Sequence, residues 1–392
     1  MNHLLVAPPR VRVLVVEDSA VIRQVMVRLV RGDPRLELIE AVETAEEALR
    51  LVPRLRPDVI SMDVRLPGMD GLAATRRIMA ECPTPIVIVC DASTDPALRI
   101  SMDALRSGAL SVVEKPAGWP SGASSTAIAT QLYIMSQVPV IRRRVAPVTI
   151  APETMTPGMM PPEAAIRHEA PPPALLPVPR RLRPRLVAMA ASTGGPQAFS
   201  HIVGALPADF PWPILLVQHM GAGFMEGFAA WLATQTPLSV GLARQGEALR
   251  PGHIHVAPAE THLMLGGHDE IRLSGAPPLG GQRPAANALF SSLTRMGGEA
   301  MGVLLTGMGE DGATGLRDLR RAGAYTIVED RSTSIVHGMP GAAERLGAAS
   351  VSLPLGQIAP HLVAIAAASR IPHAVSHADS HAESGTTGDA PA

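Results

Sequence analysis

The sequence predicts an α/β protein made of two doubly wound, parallel-sheet domains, and three observations carry that expectation. Short runs rich in Val, Ile and Leu recur along the chain, as the buried strands of parallel sheets do. Several of these runs end in an acid, a serine or a histidine, at the carboxyl end where open α/β sheets place their ligands. A proline-dense stretch without Phe, Trp or Tyr, residues 139–184, divides a chain of 392 residues that is too long for one ordinary core.

The formal net charge of −1 gives no electrostatic reason to expect nucleic acid or a membrane surface as partner. Two cysteines, Cys82 and Cys90, cannot build a disulfide framework or a structural zinc site, which suits a reducing compartment. The first twelve residues lack the charged and apolar regions of a signal peptide. No apolar run approaches the roughly 18 to 20 residues of a membrane span. A soluble, cytoplasmic protein without membrane insertion is expected.

In the first third, Val11–Val16 is a strand run broken only by Arg12, and it ends in Glu17-Asp18-Ser19, with Ser19 able to cap the next helix. Further runs fall at Leu36–Val42, Val59–Met62, Ile86–Val89 and Leu110–Val113, separated by helical segments. Five alternating strands and helices make one doubly wound domain, placed at residues 10–138. Asp63 closes the third strand and Lys115-Pro116 the fifth. Three acids and a lysine at neighbouring strand ends share one pocket, where carboxylates repel unless Mg²⁺ or the lysine compensates. Solvated loop charges would explain any one of these residues, but not all four.

Val16-Glu17-Asp18-Ser19, Met62-Asp63, Leu66-Pro67-Gly68-Met69-Asp70-Gly71 and Lys115-Pro116 resemble a response-regulator receiver domain over roughly residues 10–117. The resemblance implies that Asp63 is the phosphoacceptor. It also implies that Glu17 and Asp18 hold Mg²⁺ together with Asp63, and that Lys115 contacts the phosphoryl group. Phosphoryl transfer to a carboxylate needs such a metal and such a cation. Two positions depart from the pattern. Cys90 stands where receivers carry Ser or Thr, and its thiol is a weak donor. Val112 stands where they carry an aromatic. A competent Asp63 with a weakened or rewired switch is expected.

Residues 139–184 cannot bury a core and read as an extended, partly polyproline tether, with Arg142-Arg143-Arg144 and Arg180-Arg181 as solvated charges at its ends. Beyond it, Leu186–Ala191 is a strand run that ends in Ser192-Thr193-Gly194-Gly195-Pro196, a tight turn opening a helix. By itself this turn fits a phosphate site as well as a reactive serine. A helical segment, Gln197–Leu206, leads to a second strand, with His219 at its end. Gly302–Leu305 runs into Thr306-Gly307-Met308-Gly309-Glu310-Asp311. Ser, His and Asp thus lie beyond three strands, where a sheet can gather them. A serine needs a neighbouring base, and that base needs a partner to fix its tautomer. The chain order is unlike the common hydrolases and no Gly-x-Ser-x-Gly elbow is present, so composition alone leaves the chemistry open.

Ala190-Ala191-Ser192-Thr193-Gly194-Gly195-Pro196, Gln218-His219-Met220 and Leu305–Ala313 resemble the motifs of the chemotaxis protein-glutamate methylesterases, over about residues 185–368. In that family a receiver precedes the esterase. The resemblance implies Ser192 as nucleophile, His219 as its base and Asp311 as the residue orienting His219. It makes Thr193 and the Met308 backbone N–H candidates for holding the histidine or the oxyanion. The implied substrate is a glutamyl γ-methyl ester on a chemoreceptor, with glutamine deamidation as a second activity and no cofactor for the esterase. A chemotaxis histidine kinase is the implied phosphodonor, and phosphorylation is expected to lift the receiver from the esterase mouth. The alternative is a signalling adaptor with a catalytically weak esterase-like domain. Nucleotide binding lacks both a Rossmann fingerprint and a P-loop lysine.

Gln282-Arg283-Pro284-Ala285-Ala286-Asn287 departs from the family's His-Arg-Pro-Ser-Val-Asp-like run, which places lost polar groups near the expected substrate. His253 and His255, with His262 and His268 after them, are expected to be exposed strand histidines, because no cysteine or acid has matching metal-ligand spacing. Val256-Ala257-Pro258 with His262–Leu265 reads as a hairpin, and residues 369–392 as a disordered tail.

Overall fold

The computed structural model describes residues 9–90, 109, 111–115, 123–138 and 182–370. The expected tether, its arginine clusters, the segment between the fourth and fifth strands, and most of the expected tail lie outside these residues.

The first sheet holds β1 (Val11–Val16), β2 (Leu36–Val42), β3 (Val59–Asp63), β4 (Ile86–Cys90) and β5 (Ser111–Glu114) in the order β2-β1-β3-β4-β5. Every pairing is parallel. Helices α1 (Ala20–Gly32), α2 (Ala45–Leu55), α3 (Gly71–Glu81) and α4 (Ala123–Met135) complete it. Each of the first three starts where a side-chain oxygen takes an otherwise unpaired N–H. Ser19 accepts from Ile22, Thr44 from Glu47 and Asp70 from Ala73. Strands β3 and β4 are buried throughout, as central parallel strands must be.

The second sheet is larger. It contains β6 (Leu186–Ala191), β7 (Ile214–Gln218), β8 (Ser239–Leu242), β9 (His253–Val256), β12 (Ala300–Leu304), β13 (Tyr325–Glu329) and β14 (Val351–Leu353). Their order is β14-β13-β12-β6-β7-β9-β8, all parallel. Alternate residues of β6 feed two cores. Val187, Met189 and Ala191 meet Phe199 and Phe228 on one face, while Leu186, Ala188 and Ala190 meet Leu289 and Phe290 on the other. The helices are α5 (Gly195–Gly204), α6 (Met225–Ala233), α7 (Ala286–Ser292), α8 (Ala313–Arg321), α9 (Met339–Arg345) and α10 (Leu355–Arg370). The chain leaves β6 towards β7 on one side and returns at β12 on the other. The carboxyl ends of β7, β6 and β12 therefore border the crevice where the strand order reverses.

Two expectations are corrected. The hairpin is not formed by Val256 and His262–Leu265. Instead β9 enters the main sheet, and β10 (His262–Leu265) pairs antiparallel with β11 (Ile271–Ser274) across the Gly266–Glu270 turn. Both are short apolar runs, so either pairing satisfies the local pattern and only the sheet decides. Helix α10 also continues through Ser369 to Arg370, past the expected start of the tail.

The two sheets' surroundings meet. Ile335 and Val336 pack against the cluster containing Ile128 and Leu132 of α4. Phe224 joins the cluster containing Cys90 and Ala109. No helix among the described residues is long and apolar enough to cross a membrane.

Candidate active site

At the first sheet, Lys115 Nζ lies 2.9 Å from Asp63 Oδ2 and 3.0 Å from Glu17 Oε2. Asp63 Oδ1 accepts the Val64 N–H at 2.7 Å. Oxygens of Glu17, Asp18 and Asp63 all lie within 4.8 Å of one another. Burial pushes the Glu17 carboxyl up to about 7, the charge of Asp63 adds to this, and Lys115 only partly opposes it. Burial also raises Asp63, against Lys115 and the N–H groups of Val64 and Arg65. One ammonium thus fails to compensate two buried carboxylates. That deficit, with all donors oxygen, fits a hard divalent cation. Cys90 is buried at the end of β4, and its carbonyl accepts the Lys115 N–H at 2.8 Å.

At the second sheet, Ala191 and Gln218 are paired neighbours, so Ser192 and His219 follow them side by side, and the His219 N–H donates to the Ala191 carbonyl at 3.1 Å. His219 Nε2 stands 2.9 Å from Asp311 Oδ2, with the ring turned so that its N–H does not point squarely at the oxygen. Asp311 is fixed by peptide groups. Its Oδ2 accepts Ala286 N–H at 2.7 Å, and its Oδ1 accepts Asn287 and Gly312 N–H at 3.0 and 2.9 Å. Burial pushes the Asp311 carboxyl up, but His219 and the two N–H groups from the start of α7 outweigh it and hold it below the usual range.

The Gln282–Asn287 segment, whose departure from the family run bears on substrate, also meets Asp311. Ala286 and Asn287 hold Asp311 through their backbone, where the identity of the side chain matters little. Asn287 Oδ1 accepts the Gly315 N–H at 2.8 Å, and Arg283 is paired with Glu260. The altered residues support the carboxylate and the neighbouring helices.

Four supporting residues escaped the sequence reading. Gln218 Nε2 donates to the carbonyls of Ser192 and His219 at 2.8 and 2.9 Å, tying the two residues together. Gly195 must lack a side chain, because a Cβ there would stand 1.9 Å from Gln218 Oε1. Thr306 accepts the Ser192 N–H on its carbonyl at 3.0 Å and donates its hydroxyl to the Thr193 carbonyl at 2.9 Å. Glu329 Oε2 accepts the Thr306 N–H at 2.8 Å from a buried position. Gln218, Gly195 and Thr306 stand inside the quoted motifs without a role of their own there, and Glu329 stands outside them, since backbone partners leave no pattern.

Thr193 is buried, and its hydroxyl accepts a hydrogen bond from Gln131 Nε2 on α4 at 3.4 Å. Gln197 Nε2 donates to the Ala109 carbonyl at 3.3 Å. Met308 is half exposed, and its N–H donates to no group among the described residues. The four strand histidines are not alike. His255 and His262 are buried, against expectation, and burial drives the His255 imidazole down to about 4. The cause is the cover given to β9 by its place inside the sheet and by the loop that follows β8. His268 lies in the Gly266–Glu270 turn.

A receiver-type acidic pocket joined to a serine, a histidine and a carboxylate at a sheet's switch point defines a response regulator with a serine-hydrolase-type output. Residues 13–121 match the response regulator receiver domain family and residues 187–362 the CheB methylesterase family. The chain belongs to the protein-glutamate methylesterase/protein-glutamine glutaminase family. It is 44% identical to a family member from Paramagnetospirillum magneticum over 360 residues, 90% of this chain and 97% of that one. It is 42% identical to one from Myxococcus xanthus over 339 residues, 84% of this chain and 90% of that one. The Thermotoga maritima CheB methylesterase catalytic domain is 33% identical, covering 46% of this chain and 98% of its own, with a TM-score of 0.45.

Proposed function

We propose that this chain hydrolyses glutamyl γ-methyl esters on cytoplasmic chemoreceptor helices, and deamidates glutamines there, under control of its own receiver. The observation that carries the reading is Asp311 held on His219 Nε2, beside the turn that presents Ser192. His219 Nδ1 takes the Ser192 proton as Oγ attacks the ester carbonyl. Asp311 stabilises the imidazolium without taking its proton. The Met308 N–H, unpaired among the described residues, and the Thr193 region supply the oxyanion donors, each worth about 3 to 4 kcal/mol in sites of this kind. Methanol leaves with the proton from His219, and with a glutamine substrate ammonia leaves in its place. His219 then takes a proton from water, which hydrolyses the γ-glutamyl ester on Ser192 and frees the glutamate.

Residues 10–138 form the receiver, 139–184 the tether and 185–370 the esterase with its last helix, and the tail follows, in this reading. Gln131 on α4 reaches Thr193, one residue from the nucleophile, which supports a receiver seated over the mouth. Asp63 accepts the phosphoryl group and Lys115 contacts it. Glu17, Asp18 and Asp63 hold Mg²⁺, which when bound neutralises phosphoryl oxygens during transfer. A chemotaxis histidine kinase in the cytoplasm is the phosphodonor. The relatives' names, protein-glutamate methylesterase/protein-glutamine glutaminase, favour the enzyme over the adaptor.

Methanol release from methylated receptor membranes tests this. We expect release by the wild type, none by Ser192→Ala, and stimulation by a small phosphodonor with Mg²⁺. Release that ignores the phosphodonor removes the switch and leaves the enzyme. No release from any receptor preparation removes the enzyme.

A further inference from the structure

At the other margin of the second sheet, three metal-ligating side chains converge away from the triad. His253 and His255 are the first and third residues of β9, so both project from one face, with ring centroids 4.3 Å apart. Glu247 comes from the loop between β8 and β9, and its Oε2 lies 3.6 Å from His255 Nδ1. One ligand atom from each of the three falls within 4.8 Å of the others.

His255 is fully buried, yet neither ring nitrogen has a hydrogen-bond partner among the described residues. A neutral buried imidazole carries one donor and one acceptor, and leaving both unpaired is costly, which marks the ring for a ligand. The space beside the cluster is kept open. Gly241 on β8 faces His253, where even an added Cβ would make only an ordinary contact, 3.7 Å from His253 Nε2, so no side chain crowds the ring there. The cluster already draws a cation. Arg250, largely exposed, places Nη2 2.9 Å from Glu247 Oε1 and 3.4 Å from His253 Nε2.

We propose that Glu247, His253 and His255 bind a divalent transition-metal ion, Zn²⁺ by the chemistry of the donors. Two imidazoles and one carboxylate are a recurrent zinc set, with water at the fourth position. Bonds of about 2.0 to 2.1 Å place tetrahedral ligands roughly 3.3 Å apart. The Glu247–His255 separation is already near that, and small side-chain rotations close the rest. Arg250 swings into solvent as the ion enters. The ion staples the loop to β9. Because the Glu247 carbonyl accepts the Ile271 N–H at 2.8 Å, it also steadies the β10–β11 hairpin. Ser192 chemistry does not pass through it.

The test uses the full chain, stripped with chelator and titrated with Zn²⁺ by calorimetry, alongside Co²⁺ absorption and thermal melts. Further histidines near the carboxyl end, His373, His377 and His381, can also take metal, so site-specific variants decide the outcome. We expect one tight equivalent in the wild type, a tetrahedral Co²⁺ spectrum and a raised melting temperature. His253→Gln and Glu247→Gln should weaken that equivalent at least tenfold and abolish the Co²⁺ band. Arg250→Gln, which removes the competing cation, should tighten it. Metal-free melts of each variant show that the fold persists. Zn²⁺ binding unchanged in both ligand variants, or no stoichiometric binding by the wild type, overturns the proposal.

Discussion

The carboxylate of Asp311 caps the helix that Ala286 opens: the Ala286 N–H donates to Asp311 Oδ2 at 2.7 Å, on the same oxygen that faces His219. Ala285, at the position before that helix, has no side chain that can cap it. One residue from the β12 turn therefore completes a helix start and orients the histidine. Stability and chemistry are coupled at this carboxylate.

Asp311→Asn should consequently do two things. Turnover should fall by on the order of 10³- to 10⁴-fold, as when the orienting acid of a triad is neutralised. The helix start should weaken by about 1 kcal/mol, since an amide NH₂ would face N–H donors. Ester-hydrolysis kinetics and urea unfolding read the two effects separately, and an unchanged turnover would remove Asp311 from the mechanism.

Gly307 allows Thr306 and Met308 to pass close to the nucleophile. A Cβ there would stand 2.3 Å from Met339 Sδ and 2.8 Å from Ser192 Cβ. Methionine can yield, but Ser192 is held by its N–H on Thr306. Gly307→Ala should push the serine aside and lower kcat by about a hundredfold, the cost of a displacement near 1 Å. Wild-type kcat in this variant would show that the turn relaxes elsewhere.

Gln131→Ala removes the hydrogen bond from α4 to Thr193. A bond of this kind contributes about 0.5 to 1.5 kcal/mol, so basal activity of the unphosphorylated chain should rise roughly two- to tenfold. The phosphodonor-stimulated rate should not change if phosphorylation releases the receiver as proposed, since the contact is then lost in both proteins. A fall in both rates would instead make Gln131 part of the site.

Glu329 supplies the pH dependence. Burial raises its carboxyl above the ordinary value, with the Thr306 N–H opposing. A raised folded-state pKa stabilises fully below the unfolded value and loses that contribution as pH rises through the folded one. Unfolding free energy should therefore slope downward with pH at this group, and Glu329→Gln should flatten the slope. Parallel pH profiles for the two proteins would sink the assignment.

How much of this was legible beforehand follows from the range of each interaction. Strand runs, the helix cap at Ser19, and the polar residues that end β3, β6 and β7 are local features. Alternation, turn chemistry and capping operate over a few residues, so the sequence by itself determined two parallel α/β sheets and the residues at their mouths. Register and pairing are not local. The sheet alone decided that β9 lies between β7 and β8, which buries His255 and brings Glu247 to it. The peptide N–H groups of Ala286 and Asn287 that hold Asp311 exist in every sequence and mark none. Only the packing of α7 against the β12 turn selects them, and only that packing sets Nε2 of His219 beside the carboxylate.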